Sequence, residues 1–498
     1  MNWLRRWFAP TLFVILPLSG LVLCGLTQTA ADGAKPQAKP PAEDKWFLDR
    51  SLTLSPQLEP RPALKYRLFP LASERKDGNA VPIYLRLNFE QSDAARRYWT
   101  DTPVKWNTMP IDKIPLKEAK EFLNRYKNFL RQFELGARRK TADWNYTLDQ
   151  GSVRDILLPD VQTMRGYVPM MVLKVRVELA EGDYAATAHW LETGFAYSQH
   201  VGNGPFLINS LVGISCANQF TDCLFDFVQQ PDAPNLYWSL TALPRPLIDM
   251  RDALDMEYRF LDMQFPDLAD LDRTRSPEQW DAVLVKVRAE YQRIAGEEQR
   301  LPEGRWLEPL AGTAAGDSAS KSPDLPAARK YVTEHQKLAA DKVEAMPPAQ
   351  VLLLYLVASY NEFRDDTFKA TYLPYPEARR VFAEEEARRK AAPDTERNRF
   401  AEALLPSISK IQRSQARLDR KIAALRVIEA LRMHAAAHAG TLPDKLSEVT
   451  IVPIPDDPGT GKPFEYQRDG DAATLISRIP GEKPSATGLR YRLVMKKK

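Results

Sequence analysis

The stretch PDVQTMRGYVPMMVLKVRVELAEGDYAATAHWLETGFAYSQH, Pro159 to His200, decides how the rest of the chain is read. Apolar residues recur at three- and four-residue spacing on both sides of Gly182-Asp183. The spacing predicts two helices, over residues 159–181 and 184–200, joined by a tight turn as an αα-hairpin. The same periodicity continues on either side. Leu116 to Leu135 places Phe122, Leu123, Tyr126, Phe129, Leu130 and Phe133 on one face and predicts one helix there. Pro205 to Val228 is apolar around most of its circumference, as a helix in the middle of a bundle would be, and Pro231 stops it. A long helix follows from about Arg399 to His438, bent by Pro406.

Composition agrees with a mainly α fold. The 498 residues include 39 Pro and 22 Gly, against average usage of about 5% and about 7%. Helix-stopping residues are abundant and tight-turn residues scarce, which favours helices cut by prolines over a hairpin-rich sandwich or barrel. A hydrophobic share of 44% and a charged share of 27% fit an ordinary globular chain. The 69 Lys+Arg against 65 Asp+Glu leave +4, too dispersed for a nucleic-acid stripe, so no nucleic-acid partner is expected. Charges of alternating sign from Arg379 to Arg399 suit an exposed helix with pairs such as Glu384 with Arg388.

The ends differ from the middle. Arg5 and Arg6, then an apolar run from Thr11 to Leu26, then small residues at Thr29 and Ala31, read as a signal peptide over residues 1–31, or as a membrane anchor if uncleaved. Export to the periplasm, the cell envelope or the medium follows in either case. Cys24 resembles the cysteine of a lipoprotein box, although Leu23 stands where a small residue is usual. Residues 32–59 are rich in Ala, Pro, Lys and Asp and read as a flexible linker. A helical domain is expected over 60–309, a loop or linker over 310–327, more helix over 328–440 and a small α+β module over 441–498, with strands at Ala472 to Arg478 and Leu489 to Val494. Cys216 and Cys223 lie two helical turns apart, too far to bridge within a helix, and read as buried thiols.

Three resemblances add to this reading. Gly182, Asp183, Tyr184, Thr187 and Gly194 fall on the pattern of a single tetratricopeptide unit, which the hairpin resembles. Leu425, Ile428, Leu431, Gly440, Leu442-Pro443, Leu446, Asp457-Pro458, Gly461-Lys462-Pro463-Phe464 and Tyr466 resemble the soluble domain of type II secretion pseudopilins, without that family's N-terminal processing motif. The resemblance implies a shared small fold and a calcium site. Phrases such as LKYRLFP, GNAVPIY and DDPGTGKPFEY make the mature chain similar to a group of uncharacterised exported bacterial helical proteins, which implies no activity.

Chemistry-bearing motifs are sparse. His434 and His438 stand four apart on a helix, the spacing of two metal-ligating imidazoles, but MHAAAH lacks the glutamate of H-E-x-x-H. Asp457, Asp469 and Asp471, with Asp456, are the calcium candidates of the C-terminal loops, and turn formation is their plainer role. His189 and Glu192 share a helix face, as do Asp249, Asp252 and Asp255. Tyr237 and Trp238 form an aromatic group that suits either core or an interaction platform. Ser407 to Lys410 fits S-x-x-K without its partner motifs, and the GTGK at Gly459 lacks phosphate-loop spacing. The expectation is a non-enzymatic interaction scaffold that binds an envelope protein or peptide, with no cofactor required. The alternative is an exported hydrolase or metal-dependent enzyme built from dispersed residues such as His189, Glu192 and His434.

Overall fold

The computed structural model describes residues 45–89, 102–146, 159–297, 319–391, 396–405 and 407–496. The signal segment, Cys24, the first part of the linker and Pro406 lie outside these residues. No described helix is long and apolar enough to cross a membrane.

The hairpin is the centre of the fold. After α1 (Val81–Phe89), α2 (Leu116–Arg125) and α3 (Lys127–Ala137), helices α4 (Pro159–Ala180) and α5 (Tyr184–Gly202) pack antiparallel, and α6 (Leu207–Phe227) lies against both. Gly182 takes φ +75° in the turn, a conformation glycine adopts without steric cost. Asp183 then caps α5 by accepting the Ala186 N–H at 2.9 Å. Close approach of α5 and α6 depends on glycine: a Cβ on Gly213 would stand 2.5 Å from the Gly202 Cα. The single helix expected over 116–135 is instead two, because Tyr126 leaves helical geometry at φ −105°, ψ 22°. Phe122, Phe129 and Phe133 are buried on either side of the break.

The chain then passes through α7 (Tyr237–Thr241) and α8 (Arg251–Tyr258) into a second hydrophobic cluster. This cluster is built by α9 (Phe260–Gln264), α10 (Pro277–Glu297), α11 (Leu325–His335), α12 (Ala340–Ala345), α13 (Pro348–Phe368) and, after α14 (Tyr375–Ala391), by α15 (Glu396–Leu404). The larger cluster draws on residues from both sides of this one, Leu52 to Leu254 and Phe368 to Met495. Of the loop or linker expected at 310–327, residues 310–318 lie outside the described residues, and Ala319 is buried in the second cluster. On α14 the observed partners of Arg388 are Glu385 and Asp366, not Glu384.

The longest helix, α16 (Ile408–Ala437), runs through the larger cluster and ends at Ala439-Gly440, where both residues have positive φ. Beyond it, β4 (Glu465–Asp469), β5 (Ala472–Ser477), α17 (Pro484–Thr487) and β6 (Leu489–Met495) form the C-terminal α+β module. Its sheet has a fourth strand from the other end of the chain. β1 (Leu48–Leu54) pairs in parallel with β6, giving the order β1-β6-β5-β4. The flexible-linker expectation is corrected over these seven residues. Leu52 and Leu54 alternate with exposed Ser51 and Thr53, the period of a half-buried strand, and they join Leu489, Tyr491 and Leu493 on the inner face. Tyr491 stacks on Phe225 of α6 with ring centroids 5.2 Å apart. A small parallel pair, β2 (Lys76–Asn79) with β3 (Arg139–Thr141), lies outside this sheet.

Candidate functional site

The residues singled out in the sequence are mostly committed to structure. Tyr237 is buried; its hydroxyl donates to the Pro453 carbonyl, and its ring meets Trp238 edge-on at 5.1 Å. Trp238 is half-buried and donates from Nε1 to Glu59 at 2.8 Å. The pair thus anchors the start of the body and the C-terminal loop. His434 and His438 stack at 3.9 Å, and the His438 Nδ1 is 2.8 Å from the His434 carbonyl oxygen. Burial, with the neighbouring His438 second, lowers the pKa of His434.

Asp457 is buried and occupied. Its Oδ1 accepts the Gly459 N–H at 2.8 Å and its Oδ2 the Ser477 hydroxyl at 2.5 Å, while Arg420 stands 3.4 Å away. Arg420 also donates to Ser477 and to the Thr487 carbonyl. This network fixes the loop Pro455–Pro458 against α16. Asp469 and Asp471 are exposed at the turn between β4 and β5. No group of three or more His, Cys, Asp or Glu side chains able to hold a metal ion occurs among the described residues.

His189 does meet Glu192, in a cluster with Glu134 and Arg138. Its Nε2 is 2.7 Å from Glu134, its Nδ1 4.0 Å from Glu192, and Arg138 donates to Glu192 at 3.0 Å. Burial nevertheless raises the Glu192 pKa. His434 lies in a different setting, beside Glu448 and Arg468. Asp249 is taken up by Arg251, while Asp252 and Asp255 are exposed. Cys216 and Cys223 are free and buried, with the Cys216 thiol pushed up to about 12 by burial.

A further concave site lies elsewhere, and none of its charged residues save Asp249 and Asp456 stood out in the sequence. It is a cleft of about 770 Å³ where four segments converge. These are the proline-bearing run Leu240–Leu254, the approach to α14 at Thr371–Tyr375, one face of α16 from Gln412 to Arg426, and the loop Pro455–Pro458. Five prolines, Pro244, Pro246, Pro374, Pro455 and Pro458, stiffen its walls, and Leu243, Met250, Leu254, Ile422 and Ala423 make them apolar. Tyr372, between the lining residues Thr371 and Leu373, is 82% exposed.

Among the polar groups that line the cleft, two places stand out. At one, Arg245 donates to the Thr241 carbonyl at 2.8 Å and Arg426 to the Thr241 hydroxyl at 2.9 Å. The two guanidiniums converge on one residue, and among the described residues neither has a carboxylate partner. Burial and then the Arg426 charge lower the Arg245 pKa. At the other place is Asp419, half-buried on α16 with no hydrogen-bond or ion-pair partner among the described residues. Burial pushes its carboxyl up to about 7. Asp419 and Arg426 are seven residues apart on one helix face, a rise of about 10.5 Å. An acid and a base on an apolar helix face were the available signal; Arg245 comes from a segment remote in sequence. No known protein family matches the chain, and no curated protein or solved structure matches it.

Proposed function

We propose that this chain is an exported, non-enzymatic interaction scaffold of the cell envelope that binds a protein or peptide in the cleft on α16. The observation that carries the reading is the cleft itself, with apolar, proline-stiffened walls and with two guanidiniums and a carboxyl that have no ion-pair partner among the described residues. Such a mixture of apolar wall and a few converging polar groups is the usual character of a binding pocket. An apolar wall with a few charged groups suits holding and orienting a ligand. Export rests on the N-terminal pattern of Arg5, Arg6 and the apolar run after them.

A photo-crosslinking residue in place of Tyr372, at the cleft rim, tests this in cell-envelope extracts. A defined adduct is expected there and not from the same residue placed at Val285, which is exposed on α10 of the second cluster. Ala423→Trp, which fills the cleft, is expected to abolish the adduct. Equal trapping from both positions, or trapping indifferent to Ala423→Trp, would reject the cleft as the binding surface. The enzymatic alternative has one supporting observation, the contact of His189 with Glu134 and Glu192. A hydrolytic activity lost in His189→Gln and kept in Ala423→Trp would favour it.

A further inference from the structure

The cleft carries its charges in a pattern that is more specific than a generic groove. Arg245 and Arg426 gather at one end, held through Thr241. Arg426 spends Nε on the Thr241 hydroxyl and Nη2 on the Tyr237 hydroxyl at 3.4 Å, and its Nη1 has no protein acceptor among the described residues. Two like charges side by side, with no carboxylate paired to either among the described residues, are held at a Coulombic cost that a bound anion would remove. A planar guanidinium fork matches a carboxylate in particular. Two helical turns away, Asp419 offers a carboxyl to the same cleft, whose other lining carboxylates are Asp249, held by Arg251, and Asp456. A nearby ammonium group would supply the counter-charge it lacks in the free protein.

The spacing between these ends sets a length. A rise of about 10.5 Å along α16 corresponds to about three extended residues at about 3.3–3.6 Å each. Ile422 and Ala423 lie between Asp419 and Arg426 on α16, and Leu243 and Leu254 also line the cleft, an apolar wall that suits small or branched apolar side chains. We propose that the cleft recognises a free peptide of about three residues by its two termini, with the carboxylate on Arg245 and Arg426 and the ammonium on Asp419. This deepens the scaffold reading and rests on it, since it assigns the ligand class of the same cleft.

The test is titration calorimetry of the full chain with the tripeptide Leu-Ala-Leu, its N-acetylated form and its C-terminal amide. The free peptide is expected to bind, with each blocked form at least about tenfold weaker, the order of one lost charge-assisted contact. Asp419→Asn is expected to make the free and acetylated peptides equivalent while leaving the preference over the amide. Arg245→Met with Arg426→Met is expected to do the converse. The blocked peptides on the unaltered protein keep the test valid if a variant fails to fold. Equal binding of all three peptides, or binding of none, overturns recognition of termini. The scaffold reading fails separately: it survives a null titration if the Tyr372 adduct still forms and still disappears in Ala423→Trp.

Discussion

Asp419 shows what a carboxyl without a partner does to stability. An aspartate ordinarily titrates near 3.9, whereas burial pushes this one up to about 7. Between those values the folded chain keeps a proton that the unfolded chain has released, so stability falls as pH rises through the window and stays reduced above it. Glu257, raised by burial to about 7, acts in the same direction. His200 acts in the opposite one: it is buried against the Tyr84 hydroxyl at 2.9 Å and burial lowers it to about 4. Its effect is a loss of stability as pH falls from about 6.5 toward 4. Asp419→Asn is therefore expected to stabilise the protein at pH 8 by about 1–3 kcal/mol, less than the full shift implies because the group is partly exposed. Thermal melts at pH 8 and pH 4 check this, and an equal gain at both would refute the titration account. At Gly459 the argument is steric. An added Cβ would lie 2.7 Å from Arg420 Cδ and Nε, and Arg420 is held by Ser477, Thr487 and Asp457 and cannot swing aside. Gly459→Ala is expected to cost about 1–3 kcal/mol, read as a lower urea midpoint; an unchanged midpoint would mean that the network yields.

Elements built from local periodicity were legible in the sequence, and those defined by a distant partner were not. The hairpin helices end within two residues of where the spacing put them, because Pro159, Gly182 and Asp183 encode their boundaries locally. β5 and β6 were also legible from their alternation. β1 was not, although Leu48, Leu52 and Leu54 carry a strand period. The segment lies in a stretch rich in Ala, Pro, Lys and Asp, and its partner β6 is at the far end of the chain. The cleft escaped for the same reason: Asp419 and Arg426 look like solvated charges until the Pro244–Pro246 segment and the Pro455–Pro458 loop are packed beside them. Asp457, marked as a calcium candidate from loop chemistry, is used by Ser477 and Gly459. The pairing of β1 makes a prediction of its own. Leu52→Ala is expected to destabilise by about 2–5 kcal/mol and to raise amide exchange in β6, whose edge β1 covers, more than in α5. Uniform acceleration across both elements would show that β1 unfolds only with the whole body.

At the scale of the molecule, α16 is the element on which the separate parts converge, through charged groups buried inside it. Arg432 and Glu429 are fully buried and paired at 2.8 Å. Arg432 also donates to the carbonyls of Ser55 and Ala233, at 3.0 and 2.7 Å. Glu429 accepts the Leu236 N–H at 3.0 Å, and its backbone carbonyl accepts from the Asn235 side chain at 2.8 Å. One ion pair thereby ties the segment after β1, the segment before α7 and the long helix together. Burial raises the Glu429 pKa, with Arg432 opposing it, so removing the arginine would leave a desolvated acid. Arg432→Met is expected to cost about 3–5 kcal/mol, the range for breaking one partner of a buried pair. Adding Glu429→Gln should recover part of that loss, since an amide oxygen still accepts from Leu236 and no charge is left unpaired. The second hydrophobic cluster, with Trp280 and Tyr360 among its most buried side chains, makes none of these bonds. Hydrogen exchange in Arg432→Met should consequently rise around residues 55–57 and 233–236 and in the adjoining part of α16, with amides of α10 and α13 keeping their protection. Equal loss of protection in both clusters would mean that the two cores unfold as one cooperative unit. A single variant as stable as the double would mean that the cost lies in the lost Ser55 and Ala233 bonds and not in the orphaned charge of Glu429.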